Sequence, residues 1–226
     1  MGETNIERGR NARARLLTAA RELIGELGWN AVSTRTLAER AGVRSGLVHY
    51  HFDSLQALLR HAALDEVRRM LDGTSALLAR ATSPSEGIER MLFDLDQYNG
   101  SDPASLLFVE TYLAATRDHE LRQGMSALVA DFRCSLTEAL TRSGHPRPQA
   151  AASVVMALFD GFVLHKGLDQ GLSAEHIAPL LRRITNTEVS PITNTEVSPI
   201  TNTEVSRITN SKESRITNSE ENGEQR

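Results

Sequence analysis

The sequence predicts an all-α chain: an N-terminal three-helix helix-turn-helix head followed by a helical body. Three observations carry this. Residues Ser33 to Phe52, STRTLAERAGVRSGLVHYHF, read as two short helices joined at Gly42. From Asp53 to about Ile184 apolar residues recur at helical spacing, with no convincing strand alternation. Good N-cap residues and Gly or Pro breaks punctuate that run at helix-length intervals.

The first helix covers Ala12 to Leu27, where Leu16, Ala20, Leu23, Ile24 and Leu27 share one face. It stops at Gly28, and Trp29, the single tryptophan, follows as a core residue. Arg8, Arg10, Arg13 and Arg15 precede or open this helix. They suit phosphate contact as readily as a solvated face.

In the next two helices, three positions set the angle between the elements. Ala38 lies where a larger side chain would push the helices apart. Gly42 sits where the turn needs a positive φ, and Val48 plugs the gap. Leu37, Ala41, Val43 and Phe52 complete a small core. Ser33 is an N-cap, but Thr36 stands where a capping box usually has Glu or Gln, so the box reads as incomplete. The second short helix carries Arg44, Ser45, His49 and Tyr50, groups suited to phosphates and base edges, which makes DNA the leading partner.

The body then divides as follows. A long helix from Ser54 to Ala79 joins the head to the rest. Ser83-Pro84 starts the next, which ends by Asn99-Gly100. Asp102-Pro103 opens another, reaching about Thr116. Asp118 to Ser143 is closed by Gly144, Pro146 and Pro148. Gln149 to Gln170 is apolar on most sides and must be covered on two faces. Ser173 caps a last helix from Ala174 to about Ile184.

The 226 residues are 40% apolar, enough for a real core. The net charge of −4 hides an asymmetry. Residues 1–61 hold nine arginines against six carboxylates, hence +3, whereas residues 62–184 hold twelve basic and sixteen acidic groups, hence −4. A basic end on an acidic body suits one-sided docking on DNA. One cysteine, Cys134, excludes an intrachain disulfide and reads as a buried thiol. No signal peptide, membrane span or catalytic motif is legible, so a cytoplasmic protein that is not an enzyme and needs no cofactor is expected.

The residues ARARLLTAARELIGELGWNAVSTRTLAERAGVRSGLVHYHFDSLQALL, Ala12 to Leu59, resemble the N-terminal domain of the TetR family of bacterial transcriptional regulators. The run GLVHYHF, Gly46 to Phe52, is similar to that family's Gly-x-Leu-Tyr-x-His-Phe signature. Several positions depart from the pattern. His49 replaces the frequent Tyr, with Tyr50 beside it. Leu55 replaces an expected phosphate-binding Lys. Arg44 stands where a Ser usually caps the reading helix, and Leu47 can only meet a thymine methyl. The resemblance implies a DNA-facing set of Thr34, Arg35, Arg44, Ser45, Gly46, Leu47, His49, Tyr50 and His51.

It also implies a body that binds ligand and dimerises. The last two helices, residues 149–184, would form a homodimer, which gives the doubly apolar helix its second cover. Two heads on a two-fold axis would then read a palindrome with half-sites about 34 Å, or a multiple, apart. An effector pocket for an unknown small molecule is expected between helices four and eight, with Phe93, Tyr98, Phe108, Glu110, Tyr112, Phe132, Phe159 and His165 as candidate lining. Glu110, His119 and His165 read as polar groups in apolar surroundings. His165 and Asp169 have metal-compatible spacing, but two ligands do not make a site, and no metal is expected.

From Ile184 an octad, ITNTEVSP and its variants, repeats towards the C-terminus. Its composition buries too little to offset chain entropy, so 185–226 is expected to be disordered. The domains thus expected are 1–55, 56–184 and 185–226. The function expected is a ligand-responsive, homodimeric DNA-binding regulator, a repressor released by its effector. The alternative is a helical ligand or protein sensor whose head no longer binds specific DNA.

Overall fold

The structure is a computed structural model, and residues 5–186 are described. Within them run α1 (Asn5–Leu27), a single 3-10 turn (Trp29–Ala31), α2 (Thr34–Ala41), α3 (Gly46–His51), α4 (Leu55–Arg80), α5 (Pro84–Leu95), α6 (Pro103–Ala115), α7 (His119–Arg142), α8 (Pro148–Lys166) and α9 (Ala174–Thr185). No strand occurs among the described residues. The expected all-α class is therefore observed. The octad tail lies outside the described residues, except that Thr185 closes α9, buried, with its hydroxyl donating to Ser85 Oγ at 2.8 Å.

Side-chain caps start most of the body helices. Ser54 Oγ accepts from Ala57 N, Ser83 Oγ from Glu86 N, Asp102 from Ala104 N and Ser105 N, and Asp118 from Leu121 N. The α2 cap corrects the sequence reading. Ser33 Oγ accepts from Thr36 N at 3.1 Å, and Thr36 Oγ1 accepts from Ser33 N at 3.0 Å, so the box closes. Thr36 supplies the acceptor that Glu or Gln usually provides.

Two hydrophobic clusters hold the chain. One joins Leu16, Ile24, Trp29, Leu37, Val48, Leu58 and Leu59 to Leu107, Leu121 and Met125, so the head shares its core with α4, α6 and α7. The other joins Ile88, Leu92, Phe132, Leu136, Val155, Phe159, Phe162 and Leu181 of α5, α7, α8 and α9. Leu71 of α4 packs against both.

Polar ties fix the joints. Arg60 of α4 donates to Asp118 at 2.7 Å, tying α4 to the start of α7. Lys166, at the end of α8, donates to Asp96 at 2.5 Å, while Ala174 N at the start of α9 donates to the same carboxylate. His145 sits buried in the α7–α8 loop. Its Nδ1 accepts from Arg147 N at 3.2 Å, which leaves Nε2 to donate to the Ile184 carbonyl at 2.9 Å.

Cys134 is exposed on α7, not buried as expected. It lies on the outer face of an amphipathic helix whose inward residues are Phe132 and Leu136. Its Sγ contacts Glu138 Oε1 at 3.6 Å, and that carboxylate pushes the thiol pKa up. By length and composition α8 is the one helix among the described residues apolar enough to cross a membrane. Here its inner face, including Val155, Phe159 and Phe162, packs into the second core.

Candidate DNA-reading head and effector cavity

The turn between α2 and α3 has the geometry its residues demand. Gly42 adopts φ 60, in the left-handed region that favours glycine, and its N–H reaches the carbonyls of Ala38 and Glu39. Val43 N also donates to the Ala38 carbonyl, at 2.9 Å. Ala38 and Val48 are both buried between the elements they were expected to space. Arg15 of α1 donates to the Gly42 carbonyl at 2.9 Å, pinning the turn to the first helix. Arg13 lies 5.0 Å from the Phe52 ring centroid, and its Nη2 is 3.0 Å from His61 Nε2. Arg13 and Arg15 are therefore engaged within the fold.

With its core face turned inward, the head leaves Arg35, Arg44, Ser45, Gly46, His49 and Tyr50 exposed. Tyr50 is 78% exposed, its ring edge-on to His51 with centroids 5.0 Å apart. Thr34 and Leu47 are half-buried. His51 turns the other way. Its ring edge lies beside Gly9 of α1, and its Nε2 is buried with no hydrogen-bond partner among the described residues. No signal in the sequence separates His49 from His51, because only α1 packing decides which of them faces inward.

Between α4, α5, α6, α7 and α8 lies a cavity of about 320 Å³. Of the eight candidate lining residues, Tyr98, Phe108, Phe132 and Phe159 are on its wall, and Phe93, Glu110, Tyr112 and His165 are not. Phe93 and Tyr112 point outward, as do His119 and His165. Glu110 instead accepts a hydrogen bond from Trp29 N at 2.8 Å. Sequence reasoning missed Arg69, Met70, Thr74, Asp94, Ser105, Met156 and Asp160, which also line the space. Asp160 had a signal: it is the one charge within the apolar run VVMALFDGFVL. Partial desolvation pushes its carboxyl pKa up, although the residue as a whole is exposed.

Among the described residues no cluster of three or more His, Cys, Asp or Glu could hold a metal ion. His165 and Asp169 meet only through their backbones, Asp169 N donating to the His165 carbonyl at 2.8 Å.

Comparison with known proteins places the geometry. Residues 16–62 match the family described as bacterial regulatory proteins, tetR family, and residues 88–187 match the tetracyclin repressor-like C-terminal domain. The HTH-type transcriptional regulator BetI of Agrobacterium fabrum is 30% identical over 160 residues, covering 69% of this chain and 77% of that protein. A transcriptional regulator from Streptomyces coelicolor A3(2) superposes with a TM-score of 0.65 at 26% identity, over 78% of this chain and 99% of that one. A regulator from Saccharomonospora viridis, solved in complex with choline, shares the fold with a TM-score of 0.66 at 20% identity, over 76% and 94% of the two chains.

Proposed function

This chain belongs to the TetR family of bacterial transcriptional regulators, and from that premise we propose that it is a homodimeric repressor, released from a palindromic operator by a small-molecule effector. The observation that carries the reading is that two helices each touch both sites. α4 begins beside the head at Leu55 and lines the cavity with Arg69, Met70 and Thr74. α6 lines it with Ala104, Ser105 and Phe108, and through Glu110 holds the backbone of Trp29. An effector that fits the cavity better in one arrangement of these helices than in another shifts the head by that difference in affinity.

In this reading Arg44, Ser45, His49 and Tyr50, with Arg35 and Thr34, face the groove and its phosphates. Their exposure supports the assignment. One α3 of six residues reads few base pairs, so two heads are needed. The second copy docks on α8 and α9. Val154, Ala157, Gly161 and Leu164 fall on one side of α8, opposite Val155, Phe159 and Phe162, and Leu168 follows in the turn just after the helix. Leu168 is 87% exposed and Leu180 of α9 is 59% exposed in the single chain. An apolar stripe of that length favours burial against its own copy.

A cavity of about 320 Å³ is at the small end of ligand sites, which run roughly 300–1,000 Å³. The choline held by the Saccharomonospora viridis neighbour supports a small molecule as the effector class. Action on DNA places the protein in the cytoplasm.

The test is selection of genomic fragments by the purified protein at physiological salt, followed by sequencing. Enrichment of one palindrome is the expected result. Weak, salt-sensitive binding without a preferred sequence would reject the operator reading and leave a ligand sensor with a non-specific head.

A further inference from the structure

We propose that the cavity takes an organic cation, an ammonium group on a small apolar body, held by the Asp94 and Asp160 carboxylates against the aromatic wall. The proposal deepens the effector reading above and rests on it.

The walls argue first. Tyr98, Phe108, Phe132 and Phe159 line the space, together with Met70 and Met156. Aromatic faces carry negative potential and attract a weakly hydrated cation, and thioethers fill the gaps around its alkyl groups.

The charges argue second. Three charged residues line the cavity: Arg69, Asp94 and Asp160. Arg69 is already committed, donating to Glu66 at 2.5 Å and to the Asp65 carbonyl at 3.2 Å. Neither aspartate side chain has a hydrogen-bond or ion-pair partner among the described residues. The charge left to meet a ligand is negative.

The neutral polar groups point the same way. Ser105 donates its hydroxyl to Asp102 Oδ2 at 2.7 Å, and Thr74 donates its hydroxyl to the Met70 carbonyl at 2.7 Å. Their protons are spent within the protein, so they meet a ligand as acceptors. A carboxylate or phosphate entering here finds few donors, and a cation finds acceptors and aromatic faces.

Asp160 completes the argument. It interrupts an apolar helix and lines the cavity with no hydrogen-bond or ion-pair partner among the described residues, and partial desolvation there raises its carboxyl pKa although the residue as a whole is exposed. A bound cation supplies that partner. The residue lies between the cavity side of α8, with Met156 and Val163, and the exposed apolar stripe. A second copy on that stripe would remove more water from the carboxylate.

Titration calorimetry of the full chain decides the matter, with benzyltrimethylammonium, benzyl alcohol and hexanoate as cationic, neutral and anionic probes. The cation is expected to bind most tightly, and Asp160→Asn to weaken it by about tenfold or more, the scale of a hydrogen bond or contact to a charged group. Asp94→Asn should act in the same direction, with benzyl alcohol and hexanoate unaffected or improved. Asp160→Asn removes an unpaired charge and orphans no partner, so it should fold, and its thermal unfolding checks that. Ala104→Trp, which fills the cavity, should abolish cation binding and so locate the site.

Tighter binding of hexanoate or benzyl alcohol, blocked by Ala104→Trp, would overturn the cation while leaving the effector reading standing. An unchanged cation affinity in Asp160→Asn with a weakened dimer would assign the carboxylate to the subunit interface and overturn the proposal. Cation binding that survives Ala104→Trp, or no cation binding at millimolar concentration, would overturn it as well. Failure of the effector reading itself would show separately, as operator binding that no cavity-filling variant alters.

Discussion

The carboxylate of Glu110 on α6 accepts a hydrogen bond from the backbone N–H of Trp29, 81 residues away in sequence, at 2.8 Å. That N–H opens the 3-10 turn that leads into α2, where no intrahelical acceptor exists for it. Gly28, at φ 85, brings the turn so close that a Cβ there would lie 3.4 Å from Glu110 Oε2. Glu110→Ala should orphan a partly buried donor and destabilise the chain by about 1–3 kcal/mol. Glu110→Gln, which keeps an acceptor, should recover most of that. Urea unfolding of both variants, with hydrogen exchange at Trp29, checks the contact. Equal stability of Glu110→Ala and the parent would remove it as a joint between body and head.

The packing of α6 on α1 depends on Gly25. A Cβ there would lie 2.6 Å from the Pro103 carbonyl oxygen, a backbone atom that cannot rotate away. Gly25→Ala should therefore push α6 off α1 and cost about 1–3 kcal/mol, as overpacking does. The variant should also change operator affinity, because α6 holds the head. A variant with parental melting temperature would contradict this packing.

Gly42→Ala places a Cβ at a positive φ and against the Arg15 guanidinium that holds the turn. A loss of about 1–2 kcal/mol is expected, from backbone strain and a displaced hydrogen bond together. Arg44→Ala with Tyr50→Ala should do the reverse. Both side chains are exposed, so stability should hold while operator affinity falls by at least about tenfold. Parallel melting curves and gel shifts separate the two behaviours, and unchanged operator affinity in the double variant would mean that α3 does not read DNA.

Burial alone would raise the Asp118 carboxyl pKa, but the Leu121 N–H and the Arg60 guanidinium outweigh it and hold it below the usual carboxylate range. Asp96 behaves alike, with Lys166 and the Ala174 N–H outweighing burial. A carboxyl whose folded pKa is depressed stabilises the fold above its unfolded pKa, about 3.9, and the effect is lost as pH falls through the folded value. The stability gap between the parent and Asp118→Asn should therefore be widest near neutral pH and shrink below about pH 4. Urea midpoints taken across that range test it; a gap that grows on acidification would reverse the assignment.

Cys134 is exposed yet should react slowly, because Glu138 favours its protonated form. Glu138→Gln should speed alkylation by iodoacetamide at neutral pH. If the parent thiol already reacts as fast as a free thiol, the contact has no chemical effect.

The helices and their caps were legible because they are local. Ser54, Ser83, Asp102 and Asp118 each bond an N–H two or three residues on, so the sequence holds both partners side by side. Gly42 was legible for the same reason, since a left-handed turn is a property of one residue. Thr36 was misread only because two residue types were allowed for its role. Of the six aromatic candidates, Tyr98, Phe108, Phe132 and Phe159 line the cavity and Phe93 and Tyr112 do not: size shows that a side chain seeks burial, and not which burial it finds.

Within this protein, the sequence alone determined the class, the reading head and the order of helices, all products of interactions spanning a few residues. Tertiary structure decided what each inward residue meets. It turned His51 toward α1 while His49 stayed exposed, and it gave Glu110 to Trp29 instead of to the cavity. It also left Cys134 in solvent and brought Asp94 of α5 and Asp160 of α8 to the lining of one cavity. Those pairings span tens of residues. They depend on how helices rotate and cross when two cores close at once, and periodicity along one helix does not encode that.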